Sequence, residues 1–244
     1  MSKKTLYCVT DSETSLWDGK TFNIAWKWID KKGNVYEKES YLAIDVLKVD
    51  FPWFKQKMGE YLTYIHKGEV EPTLFSKIQF LFNKQIRKFA KQGHRCIFSA
   101  YNAPFDIKKL NETSNELLGK DFFEEELEYL CIWYWWCITC PKNYFAIPSK
   151  SGKNIKTSAE SVYRFETNDD SFCEAHIAHK DVDIEADILQ RVIIRNDLKK
   201  EAIPAVKQPW QIVGNPWMKA MKRIGFEKLE NSEIEPQNFQ MGFF

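Results

Sequence analysis

LYCVTDSET, residues 6–14, is the stretch that decides the reading of this 244-residue chain. Its first four residues form a continuous apolar run, too short for a helix and typical of a strand buried on both faces. The run gives way to polar DSET, so such a strand ends by delivering Asp11 and Glu13 to the edge of a sheet. Residues two apart in an extended chain project to one face, and these two carboxylates share one.

Working outward, TFNIAWKWID and NVYEKESYLAI read as strands joined by a KKGN turn, a hairpin. The spacing predicts helices over 50–65 and 73–93, the second stopped by Gly93. RCIFSAYN (95–102) is a further buried strand, and APFDIKKLNETSNELL opens a helix after it. The Trp-rich stretch 127–140 is expected to be helical and buried. SAESVYRF reads as a short helix. VDIEADILQRVIIRNDLKK reads as a long amphipathic one, with Val182, Ala186, Leu189 and Ile193 on one face. Strands first, then a strand feeding a helix, then helices, define an α/β domain on a mixed sheet. That domain is expected over 1–200. Residues 201–244, with Pro, Trp and acids in less regular order, read as a C-terminal extension.

The chain is 44% apolar and 28% charged, as ordinary globular proteins are. Its net charge of +1 means that a nucleic-acid footprint has to be a local basic patch. Aromatic residues make up 15%, including nine Trp, which supplies stacking surface as well as core. MSKKTLYCVTDSET lacks the apolar stretch of a signal peptide, and no run is long enough to span a membrane. Six cysteines (8, 96, 131, 137, 140 and 173) show no secreted-type spacing, so reduced thiols and a cytoplasmic location are expected.

Two more acids fall at places comparable to DSET. Asp106 lies just beyond the strand that ends near Asn102, and Asp181 starts the long helix. An acid at a strand end or in a first helical turn is ordinarily a solvated cap. Four carboxylates converging on one sheet edge are different, because they repel one another unless a cation neutralises them. Hard oxygen ligands favour Mg²⁺ or Mn²⁺. Two such ions, about 3.5–4 Å apart, suit in-line attack on a phosphodiester. An imidazole titrates near neutral pH and can take the attacking water's proton. EAHIAHKD (174–181) holds two of the chain's four histidines.

DSET, SAYNAPFD and HIAHKD resemble, in this order, the three motifs of the DEDDh (DnaQ-like) 3′→5′ exonucleases. That superfamily includes proofreading subunits, ribonuclease T and oligoribonuclease. The resemblance runs from about residue 6 to 195. D-x-E-T matches Asp11, Glu13 and Thr14. H-N-A-x-F-D matches Asn102, Ala103, Phe105 and Asp106, with Tyr101 in place of the usual His. H-x-A-x-x-D matches His176, Ala178 and Asp181, which leaves His179 without a family role. The resemblance implies a ribonuclease H-like mixed sheet flanked by helices. It implies two Mg²⁺ or Mn²⁺ ions on Asp11, Glu13, Asp106 and Asp181, with His176 as general base. Thr14, Asn102 and Phe105 would contact the terminal nucleotide, and Trp17 falls near the family's wedge residue. The expected activity is release of 5′-mononucleotides from a single-stranded 3′ end, with DNA as the expected substrate. An RNA-specific exonuclease and a non-catalytic nucleic-acid-binding module are the alternatives.

The remaining features read more plainly. His179 is expected to be an exposed helix-start residue, and His66 and His94 to sit at helix ends. Cys137-x-x-Cys140 with Cys131 reads as buried thiols, since no second ligand pair follows at zinc spacing. Lys150, Lys153 and Lys156 stand in a polar loop that either flanks a nucleic-acid path or is simply solvated. Finally, QMGFF (240–244) follows a polar, acidic tether and resembles the short peptide by which bacterial replication proteins dock on the sliding clamp. Gln240, Met241, Phe243 and Phe244 would be its anchors; the alternative is that the tail packs on its own domain.

Overall fold

The structure is a computed structural model that describes residues 4–15, 18–47, 52–144, 155–199 and 216–224. β1 (Thr5–Thr14), β2 (Thr21–Asp30) and β3 (Val35–Ala43) form an antiparallel meander. α1 (Pro52–His66), β4 (Glu71–Thr73) and α2 (Phe75–Lys91) follow, then β5 (Arg95–Ala100) and α3 (Ala103–Leu118). β6 (Glu128–Cys131) leads directly into α4 (Ile132–Thr139), and α5 (Ala159–Thr167), α6 (Ala178–Lys199) and α7 (Pro216–Ile224) complete the described order. The sheet order is β4-β3-β2-β1-β5-β6, with β5 and β6 parallel to β1. This is the expected α/β architecture, a ribonuclease H-like mixed sheet with helices on both faces.

Side-chain alternation along β1 and β2 builds two cores, one on each face of the sheet. Leu6, Cys8, Phe22, Ile24, Trp26 and Trp28 pack with residues of α1, α2 and α3 on one face. Val9, Ala25 and Ile29 pack with α4, α6 and α7 on the other. The indole N–H groups of Trp26 and Trp28 both donate to Gln85 Oε1, at 2.8 and 2.9 Å, so the two buried indoles keep their polar atoms satisfied. The hairpin turn takes φ +80° at Gly33, a conformation that side-chain-bearing residues rarely adopt and that glycine meets without strain. Within 201–244, α7 docks on α4, with Ala220 and Met221 buried in the second core.

Two expectations are corrected. The stretch 127–140 is not helical throughout, because Glu128–Cys131 pairs in register with Ile97–Ala100 as a parallel strand before the helix begins at Ile132. The helix expected from 73 begins at Phe75, because Glu71–Thr73 pairs with Tyr41–Ala43 at the sheet edge, a place that tolerates Pro72. Among the described residues, no helix is long and apolar enough to cross a membrane.

Candidate active site

β1, β5 and β6 are parallel, so their C-terminal ends share one edge of the sheet, and ligands of α/β sheets bind at such edges. On β1, Asp11 and Glu13 share the parity of Val9 and face the α6 side, whereas Ser12 faces the α3 side. The N-terminus of α6 is drawn to this edge by buried Asn23, the cross-strand neighbour of Glu13. Asn23 Oδ1 accepts the Ala178 N–H at 3.0 Å and the Tyr61 hydroxyl at 3.1 Å. Asp181, in the first turn of α6, accepts the Ile177 N–H through Oδ2 at 2.8 Å, satisfying a donor that a helix start leaves orphaned.

The consequence is that ligand atoms of Asp11, Glu13 and Asp181 all lie within 4.8 Å of one another. A second group, Glu174, His176 and Asp181, meets the same distance and shares Asp181. Asp106 stands on the α3 side of the strand end, 5% exposed, where its Oδ1 accepts from Ser12 Oγ at 2.7 Å. It belongs to neither group, although its charge reaches Asp11. Asn102 is exposed at the N-cap of α3, and Phe105 is 41% exposed in its first turn. Thr14 lies at the end of β1, where the pairing register with β2 shifts. Trp17, Lys150, Lys153, Gln240, Met241, Phe243 and Phe244 lie outside the described residues. Lys156 is exposed.

Crowding shows in the acidities. Burial, then the charges of Glu185, Glu13, Asp106 and Asp181, hold the Asp11 carboxyl well above the usual carboxylate range. Burial pushes Asp106 up to about 7 against the Ser12 hydrogen bond. Burial followed by the Glu174 and Glu13 charges pushes Asp181 up to about 8. Burial also raises Glu13, with the His176 and Lys57 charges opposing it. Asp11 Oδ2 and Asp181 Oδ1 are buried with no hydrogen-bond partner among the described residues. Buried carboxylate oxygens left in this way suit a divalent cation, and a donor set this rich in oxygen suits Mg²⁺ or Mn²⁺.

Three neighbours went unread in the sequence. Glu185, 4% exposed, lies one turn beyond Asp181 and accepts the Tyr101 N–H at 3.0 Å; burial and the Asp106 charge raise its carboxyl well above the usual range. Its signal is an acid inside the apolar face of α6. Glu174 sits beside His176, and its own N–H donates to Glu160 Oε2 at 3.0 Å. Lys57 reaches in from α1, and no motif marks it.

His179 is a correction. It is not an exposed helix-start residue but a side chain 2% exposed, with its ring centroid 4.1 Å from that of Tyr64. Burial and the Lys180 and Lys38 charges push its pKa down to about 4. Its 3.3 Å approach to Glu69 is therefore a contact of a neutral ring and not an ion pair at neutral pH. His176, by contrast, is exposed and adopts φ +51°.

No protein-family model matches this chain, and no curated protein matches its sequence. Solved structures do match. A 3′-exonuclease described for 3′-end-specific recognition of a histone mRNA stem-loop is similar at TM-score 0.50 and 12% identity, over 78% of this chain and 82% of its own. A full-length 3′-exonuclease gives the same values. Exonuclease I of E. coli, in complex with a dT13 oligonucleotide, is similar at TM-score 0.55 and 15% identity, over 81% of this chain and 43% of its own. The fold is therefore one that 3′-exonucleases use.

Proposed function

We propose that this chain is a metal-dependent 3′→5′ exonuclease releasing 5′-mononucleotides from single-stranded 3′ ends, with DNA as the expected substrate. The observation that carries the reading is the close approach of Asp11, Glu13 and Asp181, two of them with orphaned buried oxygens. Those three, with Asp106, would hold two divalent ions, whose chemistry is to acidify the attacking water and to offset charge on the leaving oxygen. His176, exposed beside Asp181, would take the proton of that water as the new phosphorus–oxygen bond forms. The bond to the 3′ oxygen of the penultimate nucleotide would then break, and that oxygen would take a proton from solvent while His176 releases the one it accepted. Phe105 and Asn102, both exposed at the start of α3, would offer a ring and an amide to the terminal nucleotide.

One structural neighbour is described for recognition of an mRNA stem-loop and another is in complex with a dT13 oligonucleotide, which favours testing an RNA-specific exonuclease beside the DNA reading. Matched 5′-labelled DNA and RNA oligonucleotides, digested with Mg²⁺ or Mn²⁺ and with EDTA, test both readings. A ladder of 3′-shortened products that EDTA, Asp11→Ala and Asp181→Ala each abolish is expected. Binding of ends without release of mononucleotides would favour a non-catalytic module.

A further inference from the structure

His176 is one of two non-glycine residues with positive φ among the described residues; the other, Asn168, is an ordinary left-handed helix cap. A left-handed histidine in a loop persists where its surroundings dictate it. From the N-terminal side the loop is held by Glu160, which accepts the Glu174 N–H, and from the C-terminal side by Asp181, which accepts the Ile177 N–H. Between them the two successive carbonyls of Ala175 and His176 converge on one ammonium, that of Lys57, with the His176 oxygen at 3.0 Å. Lys57 lies one turn before Tyr61, the α1 side chain that is buried against Asn23 at the same edge, and residues four apart share a helix face. The Lys57 charge also acts on Glu13 and Asp181, so its half-buried ammonium lies near the acidic cluster.

We propose that Lys57 is a positioning residue of the reaction: by donating to both carbonyls it fixes the His176 backbone so that the imidazole is presented beside Asp181 and Glu13. The inference rests on the exonuclease reading for its kinetics, but the clamp itself is a property of the folded chain. A lysine has three donors and no acceptor, which suits two carbonyls on one side and carboxylates on the other. Methionine at this place keeps the apolar stem and removes every donor. Arginine keeps donors in a fork that can serve both carbonyls.

Single-turnover hydrolysis of a 5′-labelled oligonucleotide is compared for the wild type, Lys57→Met, Lys57→Arg, His176→Ala and the double variant Lys57→Met/His176→Ala. A base placed in reach contributes about 10²–10⁴-fold, so Lys57→Met should slow the chemical step by about 10–100-fold with little change in KM. Lys57→Arg should recover most of that loss. The double variant should be no slower than His176→Ala alone, within about threefold, because a residue that acts through His176 has nothing to add once the imidazole is gone. Losses that multiply, or a loss carried by KM, would overturn the proposal and make Lys57 an independent substrate contact. The second readout needs no activity. In ¹H–¹⁵N spectra of the four histidine rings, Lys57→Met should move the His176 resonances and leave those of His66 and His94 in place. Unmoved His176 resonances would sink the clamp even in an active enzyme, whereas a wild type that cleaves nothing would sink the exonuclease reading and leave the clamp to be judged by the spectra.

Discussion

Asp181→Asn should abolish nuclease activity and yet stabilise the metal-free protein at alkaline pH. Asp181 is 3% exposed, and its pKa rises from 3.8 to about 8 through burial and the charges of Glu174 and Glu13. Between those two values the folded state holds a proton that the unfolded chain has released, so stability falls as pH rises, and the full penalty applies above about 8. About four units at 1.36 kcal/mol each set a ceiling of about 5 kcal/mol. Water entry and side-chain relaxation reduce such penalties, leaving about 2–3 kcal/mol. For a chain of this size that is a rise of about 5–10 °C in Tm. Asparagine cannot ionise, and its amide oxygen still accepts the Ile177 N–H, so the cap on α6 survives. Melting curves in EDTA should show the variant and the wild type close together near pH 4, with the gap widening in the variant's favour up to about pH 8 and then levelling. Saturating Mg²⁺ or Mn²⁺ should reverse the order, because the wild type gains stability by binding and the variant has lost a ligand. A variant destabilised by the same amount at every pH would refute the reasoning, since it would mean that Asp181 is a satisfied structural acid.

His179→Ala should lower stability by about 2 kcal/mol, read as a fall in Tm, by removing a neutral ring packed on Tyr64. Its rate per folded molecule should match the wild type, and a loss equal to that of His176→Ala would overturn the assignment of the two histidines. Phe105→Ala should raise KM by about 5–100-fold with Tm unchanged, because an exposed ring that stacks on a base contributes about 1–3 kcal/mol to binding and little to the core. A fall in Tm without a change in KM would make Phe105 structural.

What the sequence made legible were the features carried by local pattern. The β1 run, the hairpin and the amphipathic face of α6 follow from period-2 and period-3.6 spacing and stand where that spacing puts them. Glu128–Cys131 carries no local signal of a strand, because a short apolar run before an aromatic helix has no period of its own and its partner, Ile97–Ala100, lies some thirty residues away. The burial of His179 is hidden from local pattern for a related reason. Its burial comes from α1, whose Tyr64 meets it across more than a hundred residues of sequence. Lys57 is likewise brought to the site by the packing of α1, whereas Glu174 and Glu185 lie close in sequence to His176 and Asp181 and carry no motif of their own. They bear on the charge balance of the proposed centre. Two divalent ions carry four positive charges, which match Asp11, Glu13, Asp106 and Asp181 as carboxylates. Glu174 is then left beside the His176 imidazole, where burial raises its carboxyl above the usual range and the His176 charge opposes that rise. Glu185 accepts the Tyr101 N–H, and burial followed by the Asp106 charge raises its carboxyl well above the usual range. That hydrogen bond ties α6 to the β5–α3 junction just before Asp106, so the elements that carry Asp106 and Asp181 are fastened to each other at the sheet edge.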